Sequence, residues 1–182
     1  ATYNSHPIES IENSSFHQLN VLDESIDLSF LPEQIDGIVY CPGAINLKPF
    51  ARIKAADFLA DYELQVLGAI KIIQAVLPKM KSSESASIVL FSTVAVQAGF
   101  NFHSIVSASK GAIEGLVRAL SAELAPKIRI NCIAPSITDT ALAASLLGTP
   151  EKAEANAQRH PLKRVGTVED LSNAVVFLLS EK

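Results

Sequence analysis

Side chains that could do chemistry stand at the ends of apolar runs in this sequence. Thr93 closes one such run, Lys110 lies in a helix-like stretch after it, and Pro135 stops a second run that begins at Ile128. In sheets of parallel strands, ligands bind at the carboxyl ends of the strands. A hydroxyl group can hold a polar oxygen there, and an ammonium group supplies three donors. The spacing therefore predicts a ligand site at one edge of a sheet.

Three strands and two long helices must position these residues. Continuous runs rich in β-branched residues predict buried parallel strands at 35–40, 87–93 and 128–133. Residues 55–81 and 104–124 predict two helices whose apolar positions cover more than one face, so each needs a second partner besides the sheet. With 182 residues, of which 48% are hydrophobic and 19% charged, the chain is long enough for one domain with a real core.

The composition excludes several classes of function. A net charge of −4 without a basic patch argues against nucleic acid as a partner. No apolar run approaches the ~20 residues that a membrane-spanning helix needs, and the first residues lack the pattern of a signal peptide. Cys41 and Cys132 lie in apolar strand-like runs, which predicts reduced, buried thiols in a cytoplasmic protein. A disulfide between them is the minor alternative.

Together these motifs resemble the short-chain dehydrogenase/reductase family over almost the whole chain. That family has a hydroxyl residue at a strand end, a Tyr-x-x-x-Lys helix and a strand ending in Pro-Gly, which match Thr93, residues 106–110 and Pro135-Ser136. Residues 161–170 also match its Pro-Leu-x-Arg-x-Gly-x-x-Glu-Asp motif. The resemblance implies a Rossmann-like α/β fold with a doubly wound parallel sheet. It also implies an NAD(P)-dependent oxidoreductase acting on the carbonyl or alcohol group of a small-molecule substrate.

The resemblance places catalytic roles on three residues. Thr93 stands where the family has its serine, Lys110 where a lysine hydrogen-bonds the nicotinamide ribose, and Gln65 where an asparagine holds a water molecule in a proton relay. Each residue also has a plainer interpretation. Thr93 could satisfy its own loop backbone, Lys110 could be an exposed helix lysine, and Gln65 could be an ordinary helix residue. Both interpretations remain open from the sequence.

Cofactor contacts are implied at several places along the chain. Asn20-Val21 match an Asp-Val pair that contacts adenine, although Asn20 is as readily a turn former. The turn at 40–43 matches an Asn-Asn-Ala-Gly turn near the adenosine ribose, and residues 135–140 match the loop that contacts the carboxamide. The implied cofactor-binding residues are Asn20, Val21, Cys41, Pro42, Gly43, Lys110, Pro135, Ser136, Ile137, Thr138 and Thr140. The cofactor is expected to be NAD or NADP, with the choice open, and no metal is expected.

The first 36 residues contain no glycine. A dinucleotide-binding unit opens with a glycine-rich turn that lets main-chain N–H groups approach the pyrophosphate. Either the sequence begins after that unit or the protein has lost it. The first is favoured, because a doubly wound sheet without its first strand would have exposed edges. We expect residues 1–182 to form one domain that lacks this start and the last strand, with an irregular segment at 1–15 and a short strand at 16–21.

Val106 stands at the position of the family's tyrosine and has no ionisable group. His103 lies seven residues before Lys110, on the same face if the helix extends that far, and could act as a general acid. An exposed histidine in a loop is the alternative. Three functions remain: an oxidoreductase with a degenerate active site, a catalytically inactive protein acting as a regulatory or assembly subunit, and an enzyme with non-redox chemistry. We favour the first.

Two further features are expected. Residues 141–148 and 150–160 predict two short helices that match the family's mobile substrate lid, the second with Thr149 as its N-cap. Thr167 is expected to cap the last helix, with Asp170 completing a near capping box. Because the helices at 55–81 and 104–124 are apolar on more than one face, we also expect a homodimer or homotetramer through them.

Overall fold

Parallel strands form two small sheets in the computed structural model, which describes residues 1–7, 9 and 11–181. Two short strands pair with each other, and three longer strands form a sheet in the order β3-β4-β5. All the pairings are parallel, as the continuous apolar runs predicted. The strands are β1 (Thr2–Tyr3), β2 (His17–Gln18), β3 (Gly37–Tyr40), β4 (Ala86–Phe91) and β5 (Ile128–Ile133).

Helices connect β3 to β4 and β4 to β5, and others follow β5. One long rod between β3 and β4 is interrupted by a π-helical turn, Glu63–Leu67. Within the described residues, no helix is both long and apolar enough to cross a membrane. The helices are α1 (Ala55–Tyr62), α2 (Gly68–Met80), α3 (Ala95–Ala98), α4 (Ser104–Leu124), α5 (Ala144–Leu147), α6 (Pro150–Ala157) and α7 (Val168–Leu179), with 3-10 turns at Phe50–Arg52 and Ala141–Ala143.

The predicted elements are present, and the boundaries differ most at the strands. The helix predicted at 104–124 and the strand at 128–133 are confirmed at both ends. The predicted helix 55–81 is the rod from Ala55 to Met80. The strand predicted at 35–40 begins only at Gly37, and the one predicted at 87–93 ends at Phe91.

The expectation of an irregular segment at 1–15 is wrong at Thr2–Tyr3, which form β1. This strand pairs with β2 in the register Thr2↔His17, and Leu19 N donates to Tyr3 O at 2.8 Å. Main-chain groups make this ladder, so it needs no apolar side-chain pattern. Residues 8 and 10 of the same segment lie outside the described residues. The strand predicted at 16–21 is shorter, because a turn begins at Asn20.

The main core lies between the three-stranded sheet and the helices α2 and α4. Ile88 and Leu90 on β4 belong to it, together with Ile113 of α4. The opposite face of β4 meets α7, since Ser87 Oγ donates to Leu178 O at 2.8 Å. Side chains alternate between the two faces of a strand, so β4 is buried by helices on both sides. The sheet therefore has the two covered faces of a doubly wound fold.

Close helix–strand packing explains one glycine at the start of α2. A Cβ on Gly68 would overlap Tyr40 Oη and lie 3.1 Å from Val21 Cγ2. Only glycine lets the helix backbone approach β3 this closely. This contact fixes the start of α2 against the end of β3, just before the turn that carries Gly43.

Hydrogen bonds fix both ends of α7. Thr167 Oγ1 accepts from Asp170 N at 3.1 Å, and Asp170 Oδ2 accepts from Thr167 N at 2.9 Å, which confirms the predicted capping box. Arg164 donates to both carboxylate oxygens of Asp170. We call Arg164, Thr167 and Asp170 the α7 entry cluster. At the other end, Arg129 donates to the carbonyls of Leu178 and Ser180, each at 2.8 Å.

Candidate active site

The carboxyl ends of β3, β4 and β5 lie side by side, because the strands are parallel and in register. Tyr40 of β3 is opposite Leu90 of β4, which is opposite Cys132 of β5. The turn that contains Gly43 follows β3, and Thr93 follows β4. The predicted site residues from three segments are thus brought to one edge of the sheet, where ligands bind in open α/β folds.

Lys110 is half-buried on α4 and lies one turn beyond Val106 on the same helix face. Burial lowers the pKa of Lys110 below its ordinary value, and negative charge at Cys132, Asp61 or Cys41 acts in the opposite direction. Lys110 forms no salt bridge among the described residues. Nor does it donate to any of their acceptors, in contrast with Lys71, whose ammonium group donates to two main-chain carbonyls.

Gln65 is buried and its side chain is only half satisfied. It is 1% exposed, and its Nε2 donates to Asp61 Oδ2 at 2.7 Å. Asp61, one turn earlier on the rod, is 2% exposed. Gln65 Oε1 and Asp61 Oδ1 are buried without a hydrogen-bond partner among the described residues. Gln65 is therefore a buried helix residue with an unpaired oxygen, and Asp61 is a buried acid beside it that is not among the candidates predicted from the sequence.

Gln65 and Lys110 face each other across Gly43. The point where a Cβ on Gly43 would lie is 3.4 Å from Gln65 Oε1 and 3.9 Å from Lys110 Nζ. An unused acceptor and an unused donor therefore lie within reach of one small polar molecule. We call Asp61, Gln65 and Lys110 the buried polar cluster.

Tyr40 braces this part of the rod against the sheet. Its hydroxyl donates to Leu64 O, in the π-helical turn, at 2.6 Å. Burial raises the pKa of Tyr40 well above its ordinary value. The turn at 40–43 lacks the asparagines of the family pattern, and a phenol from strand to helix supplies a brace instead. Helical π turns occur often at functional sites, and this one carries Gln65.

Thr93 is half-buried at the end of β4, and its Oγ1 accepts from Ala95 N at 3.3 Å. This contact matches the plainer of its two interpretations, a hydroxyl that satisfies the loop backbone. The hydroxyl hydrogen is not used in that contact and remains able to donate. The neighbouring Ser92 is buried and donates to Glu114 Oε1 at 2.7 Å, so its role is to tie β4 to α4.

Val106, which we expect to stand at the position of the family's tyrosine, is buried and 8% exposed. His103 lies outside the helix as its N-cap residue, since α4 begins at Ser104. Its Nδ1 is 2.8 Å from Asn101 O, and its ring contacts Phe100 with centroids 5.5 Å apart. His103 was a candidate general acid only if the helix extended far enough to place it on the same face as Lys110. The helix does not extend that far.

Asn20 uses both ends of its side chain in a local turn. Its Nδ2 donates to Asp23 Oδ1 at 2.8 Å, and its Oδ1 accepts from Leu22 N at 3.2 Å. Val21 is buried in the core, and Lys71 donates to its carbonyl at 3.0 Å. The turn-former interpretation thus describes the geometry of Asn20, whose side chain makes two hydrogen bonds within its own turn.

Cys41 was expected to be buried and is exposed, because it begins the turn after β3 instead of lying within the strand. Cys132 is half-buried in β5. Both thiols are free, and β4 separates the two strands, which puts them about 10 Å apart and beyond disulfide reach. Burial raises the pKa of Cys132 to about 11, with a smaller contribution from the charge of Glu114. Although Cys41 as a whole residue is exposed, desolvation of its sulfur raises the pKa of the thiol above its ordinary value, and the charge of Lys110 opposes this.

The loop after β5 is held by contacts from two sides. Pro135 O accepts from Val94 N at 3.1 Å, which joins the loop to the end of β4. Thr138 pairs with Gly166 in a parallel bridge, and Gly166 N donates to Ile137 O at 3.0 Å. Thr140 Oγ1 donates to Thr138 O at 3.4 Å. The cofactor-binding residues predicted at 135–140, among them the backbone near Ile137 and Thr138 and the Thr140 hydroxyl that are expected at the carboxamide, therefore lie on one braced segment beside the end of β4.

A serine–histidine contact links this loop to the predicted lid. Ser136 Oγ and His160 Nε2 are 2.7 Å apart, and His160 Nδ1 is 2.9 Å from Asn156 O. The two short lid helices are present, and Thr149 caps the second by accepting from Lys152 N, as predicted. The helix ends at Ala157 instead of 160, so that His160 turns toward the loop. No local sequence signal pairs Ser136 with His160.

Part of this edge fits the nicotinamide half of a dinucleotide. Lys110 has donors to spare, Gly43 leaves the space beside it unfilled, and the loop at 135–140 is already braced. Hydroxyl groups of a ribose would satisfy the Lys110 donors and the Gln65 oxygen. The side chain of Asn20 makes two hydrogen bonds in its own turn, and its contact with adenine stays a prediction.

Similarity to curated proteins covers most of the chain. The family profile described as enoyl-(acyl carrier protein) reductase matches residues 16–182. L-xylulose reductase of Bos taurus is 27% identical over 150 residues, which cover 81% of this chain and 62% of that protein. A tropinone reductase homologue of Arabidopsis thaliana is 36% identical over 132 residues, which cover 72% of this chain and 50% of that protein. The chain thus spans between 50% and 62% of the length of these two relatives.

Solved structures share the same architecture. ElxO with NADP bound has a TM-score of 0.83 and 25% identity, covering 92% of this chain and 71% of that one. A short-chain dehydrogenase/reductase from Brucella melitensis, described as a glucose/ribitol dehydrogenase, has a TM-score of 0.75 and 32% identity, covering 81% and 59%. With its Rossmann-like α/β fold and a family match over residues 16–182, this chain belongs to the short-chain dehydrogenase/reductase family.

Proposed function

We propose that the full-length protein is an NAD(P)-dependent oxidoreductase that acts on a carbonyl or alcohol group of a small molecule through a degenerate active site. One observation carries this proposal: the ammonium group of Lys110 lies half-buried at the carboxyl edge of the sheet without any partner among the described residues. Burying a charge without a partner is costly. A ligand with acceptor oxygens beside Gly43 would remove that cost.

The relatives support the same class of reaction. One of them is described as an L-xylulose reductase, and another as a tropinone reductase homologue. One structural neighbour is described with NADP bound. Experiment must determine whether the cofactor is NAD or NADP and which carbonyl compound is the substrate.

Each residue has a distinct task in this proposal. Lys110 holds the ribose hydroxyls beside Gly43, and the main chain from Ile137 to Thr140 faces the carboxamide. A bound nicotinamide supplies or accepts the hydride. The Thr93 hydroxyl, whose hydrogen is not used in its contact with Ala95 N, donates to the substrate oxygen. Val106 supplies no proton, so turnover on ordinary carbonyl compounds is expected to be slow.

Titration of the full-length protein with NADH and NADPH tests the proposal first. Micromolar binding of either, followed by fluorescence and calorimetry, is the expected result, and Lys110→Met should weaken it while Lys71→Met should not. Lys71 is a matched control because its ammonium group already donates to two main-chain carbonyls. Absence of binding up to millimolar concentration would exclude the oxidoreductase.

Val106→Tyr tests whether the acid is the missing part. The substitution restores a phenol four residues before Lys110, whose charge lowers a neighbouring phenol's pKa. In a protein that binds the cofactor, it should raise carbonyl reductase activity by about 10²-fold or more, the usual size of a general-acid contribution. Val106→Phe, which adds the ring without the hydroxyl, is the control. Equal activity in the two variants would contradict the idea that only the acid is absent.

The second candidate is a catalytically inactive subunit with a regulatory or assembly role. The buried valine at position 106 favours it, because this side chain can neither give nor take a proton. Such a protein would bind the cofactor or nothing, and Val106→Tyr would leave it without activity. The titration and the Val106→Tyr assay therefore separate the two candidates.

We also propose that the protein is a homodimer or homotetramer through the rod of α1 and α2 and through α4. Two leucines on the outer side of the rod support this, since Leu59 is 70% exposed and Leu67 is 46% exposed. Apolar side chains exposed together on a helix mark an interaction surface. Sedimentation of the full-length protein at micromolar concentration should show the oligomer, and a monomer would refute it.

A further inference from the structure

His160 differs from the other three histidines of the chain, because both of its ring nitrogens have partners among the described residues. Its Nε2 is 2.7 Å from Ser136 Oγ, and its Nδ1 is 2.9 Å from Asn156 O. Within the part of the chain that the structure describes, each of the other histidines has at most one ring nitrogen in a hydrogen bond. A hydroxyl group, an imidazole and a carbonyl oxygen are thus joined in sequence at His160.

The carbonyl of Asn156 determines which nitrogen of His160 carries the hydrogen. A carbonyl oxygen can only accept, so Nδ1 donates to it. In the neutral imidazole, Nε2 then has a lone pair and accepts from the hydroxyl of Ser136. A serine hydroxyl that donates to a base, with the base oriented by a third group, is the arrangement that activates serine as a nucleophile.

Contacts at the end of α6 hold the imidazole of His160 in place. His160 N donates to Ala157 O at 3.0 Å, and His160 O accepts from Lys163 N at 3.0 Å. Asn156 O, which holds Nδ1, belongs to the last turn of α6. The carbonyl end of a helix stabilises positive charge. The base is therefore oriented, and the imidazolium that forms when it takes a proton is stabilised by the same helix end.

Ser136 is exposed, whereas His160 is half-buried. The serine main chain is held as well, since Ser136 O accepts from Thr138 Oγ1 at 3.2 Å. The main-chain N–H groups of Ile137 and Thr138 donate to no acceptor among the described residues. Main-chain N–H groups stabilise the negative oxygen that forms when a carbonyl is attacked. An accessible nucleophile, its base and unengaged main-chain donors therefore occur together where the loop after β5 meets the predicted lid.

We propose that Ser136 is a nucleophile, with His160 as its base, that transfers acyl groups from small esters to water. Ser136 Oγ attacks the carbonyl carbon of the ester, and its proton passes to His160 Nε2. The bond from that carbon to the leaving oxygen breaks, and the alcohol leaves with the proton from Nε2. Water, deprotonated by the same nitrogen, then attacks the acyl-serine, which releases the carboxylic acid and regenerates the hydroxyl. No electrons are exchanged with a cofactor, so this activity is separate from the proposed hydride transfer.

Labelling of the full-length protein with an alkyl fluorophosphonate, in the absence of cofactor, tests the proposal. The serine oxygen bonds to phosphorus and fluoride leaves, so a stable adduct records the first step. Peptide mass spectrometry should find a stoichiometric adduct on Ser136. Ser136→Ala should abolish this adduct, and His160→Gln, which removes the base, should slow its formation by about 10²-fold or more. Both variants should also lose the burst of p-nitrophenol that the unmodified protein releases from p-nitrophenyl acetate.

Ser5 is the matched control, because its Oγ also contacts a histidine, 3.0 Å from His6 Nδ1. Both of these residues are exposed, and His6 Nε2 has no partner among the described residues, so this imidazole is not oriented by a third group. Ser5→Ala should leave the rate of labelling unchanged. Labelling of Ser5 as fast as Ser136 would overturn the proposal, since it would show only the ordinary reactivity of a surface serine. So would labelling of Ser136 at an unchanged rate in His160→Gln.

The position of the adduct in the unmodified protein keeps the proposal falsifiable if His160→Gln does not fold. An adduct on Ser136 and not on Ser5 supports it, and a protein without an adduct on Ser136 overturns it. The labelling needs neither NADH nor NADPH. If the protein binds neither cofactor but Ser136 is labelled, the proposed hydride transfer is excluded and the nucleophile remains. If it binds a cofactor but Ser136 is not labelled, the reverse holds.

Discussion

Two charged clusters in this molecule differ in how completely they are paired. The α7 entry cluster is exposed, and both oxygens of Asp170 accept hydrogen bonds, from Arg164 and from Thr167 N. The buried polar cluster is enclosed, and one oxygen each of Asp61 and Gln65 has no partner among the described residues. Exposed charges can be left to water at small cost, whereas buried ones cannot. The cluster with unpaired atoms is therefore the buried one, where leaving a polar group unpaired costs more free energy.

This difference separates a structural role from a functional one. The α7 entry cluster uses its hydrogen bonds to start a helix, and nothing in it remains to hold a ligand. The buried polar cluster keeps a donor and two acceptors free at the carboxyl edge of the sheet, where they are available to another molecule. Substitutions in the first should change stability alone, and substitutions in the second should change binding and activity.

Lys110→Met is expected to have the largest effect. It removes the ammonium group that the proposed function needs, so the activity of the full-length protein should fall by about 10²- to 10⁴-fold. Lys71→Met should instead lower the free energy of unfolding by about 1 to 2 kcal/mol, because it loses two hydrogen bonds from a charged group, and should leave activity unchanged. Assays of kcat/KM and urea unfolding on both variants check this, and activity retained in Lys110→Met would break the contrast.

Gly43→Ala should have the next largest effect. Its Cβ would meet Gln65 Oε1 at 3.4 Å and Lys110 Nζ at 3.9 Å, which are ordinary contacts, so the fold should tolerate it within about 0.5 kcal/mol. The same methyl group fills the space beside Lys110 and should weaken NADH or NADPH binding by about tenfold or more, which corresponds to 1.4 kcal/mol.

Gly115→Ala is the control for this substitution. Nothing lies within 4 Å of its Cβ position, and the residue is inside α4. Alanine in a helix interior should therefore stabilise the protein by about 0.5 to 1 kcal/mol without affecting binding. Calorimetric titration of both variants with NADH and NADPH measures the two affinities. Equal affinity for the cofactor in both would show that the space beside Gly43 has no binding role.

The sequence predicts the two clusters unequally well. The capping box of Thr167 and Asp170 is a local pattern over three residues, so it could be recognised before the structure was known. The helix at 104–124 and the strand at 128–133 were predicted from apolar runs for the same reason. Patterns of this kind depend on neighbours in the chain, which the sequence displays directly.

The buried polar cluster depends instead on contacts between distant segments. Gln65 and Lys110 were found through the family resemblance, but Asp61 was not, because an acid on a helix is usually solvated. Only the packing of the rod against α4 shows that Asp61 is 2% exposed. The contact of Ser136 with His160 and the pairing of Thr2–Tyr3 with β2 were missed for the same reason. The sequence does place Asp61 one helical turn before Gln65, but the rod also carries Asp57 and Glu63, so the spacing alone did not single it out.

Thr167→Ala should have a smaller effect, confined to stability. It removes the side-chain acceptor for Asp170 N, which should lower the free energy of unfolding by about 1 kcal/mol. Thr167→Ser keeps the hydroxyl and should recover most of the loss. Neither variant should change cofactor affinity, and a change in affinity would mean that the two clusters are coupled. Urea unfolding and calorimetric titration supply the two measurements.

Asp170→Asn should have the smallest effect at neutral pH and a distinctive dependence on acid. Hydrogen bonds from Arg164, and to a smaller extent from Thr167 N, hold the pKa of Asp170 well below its ordinary value. A depressed pKa in the folded protein gives stability that is present above the unfolded value, about 3.9, and is lost as pH falls below it. The difference in unfolding midpoint between the unmodified protein and Asp170→Asn should therefore be constant above about pH 5 and shrink steadily as the pH falls below that value toward the depressed pKa of the folded protein. Because the pair is exposed, added salt should reduce the difference as well. If the difference in unfolding midpoint did not change with pH, the negative charge of Asp170 would contribute nothing to the start of α7.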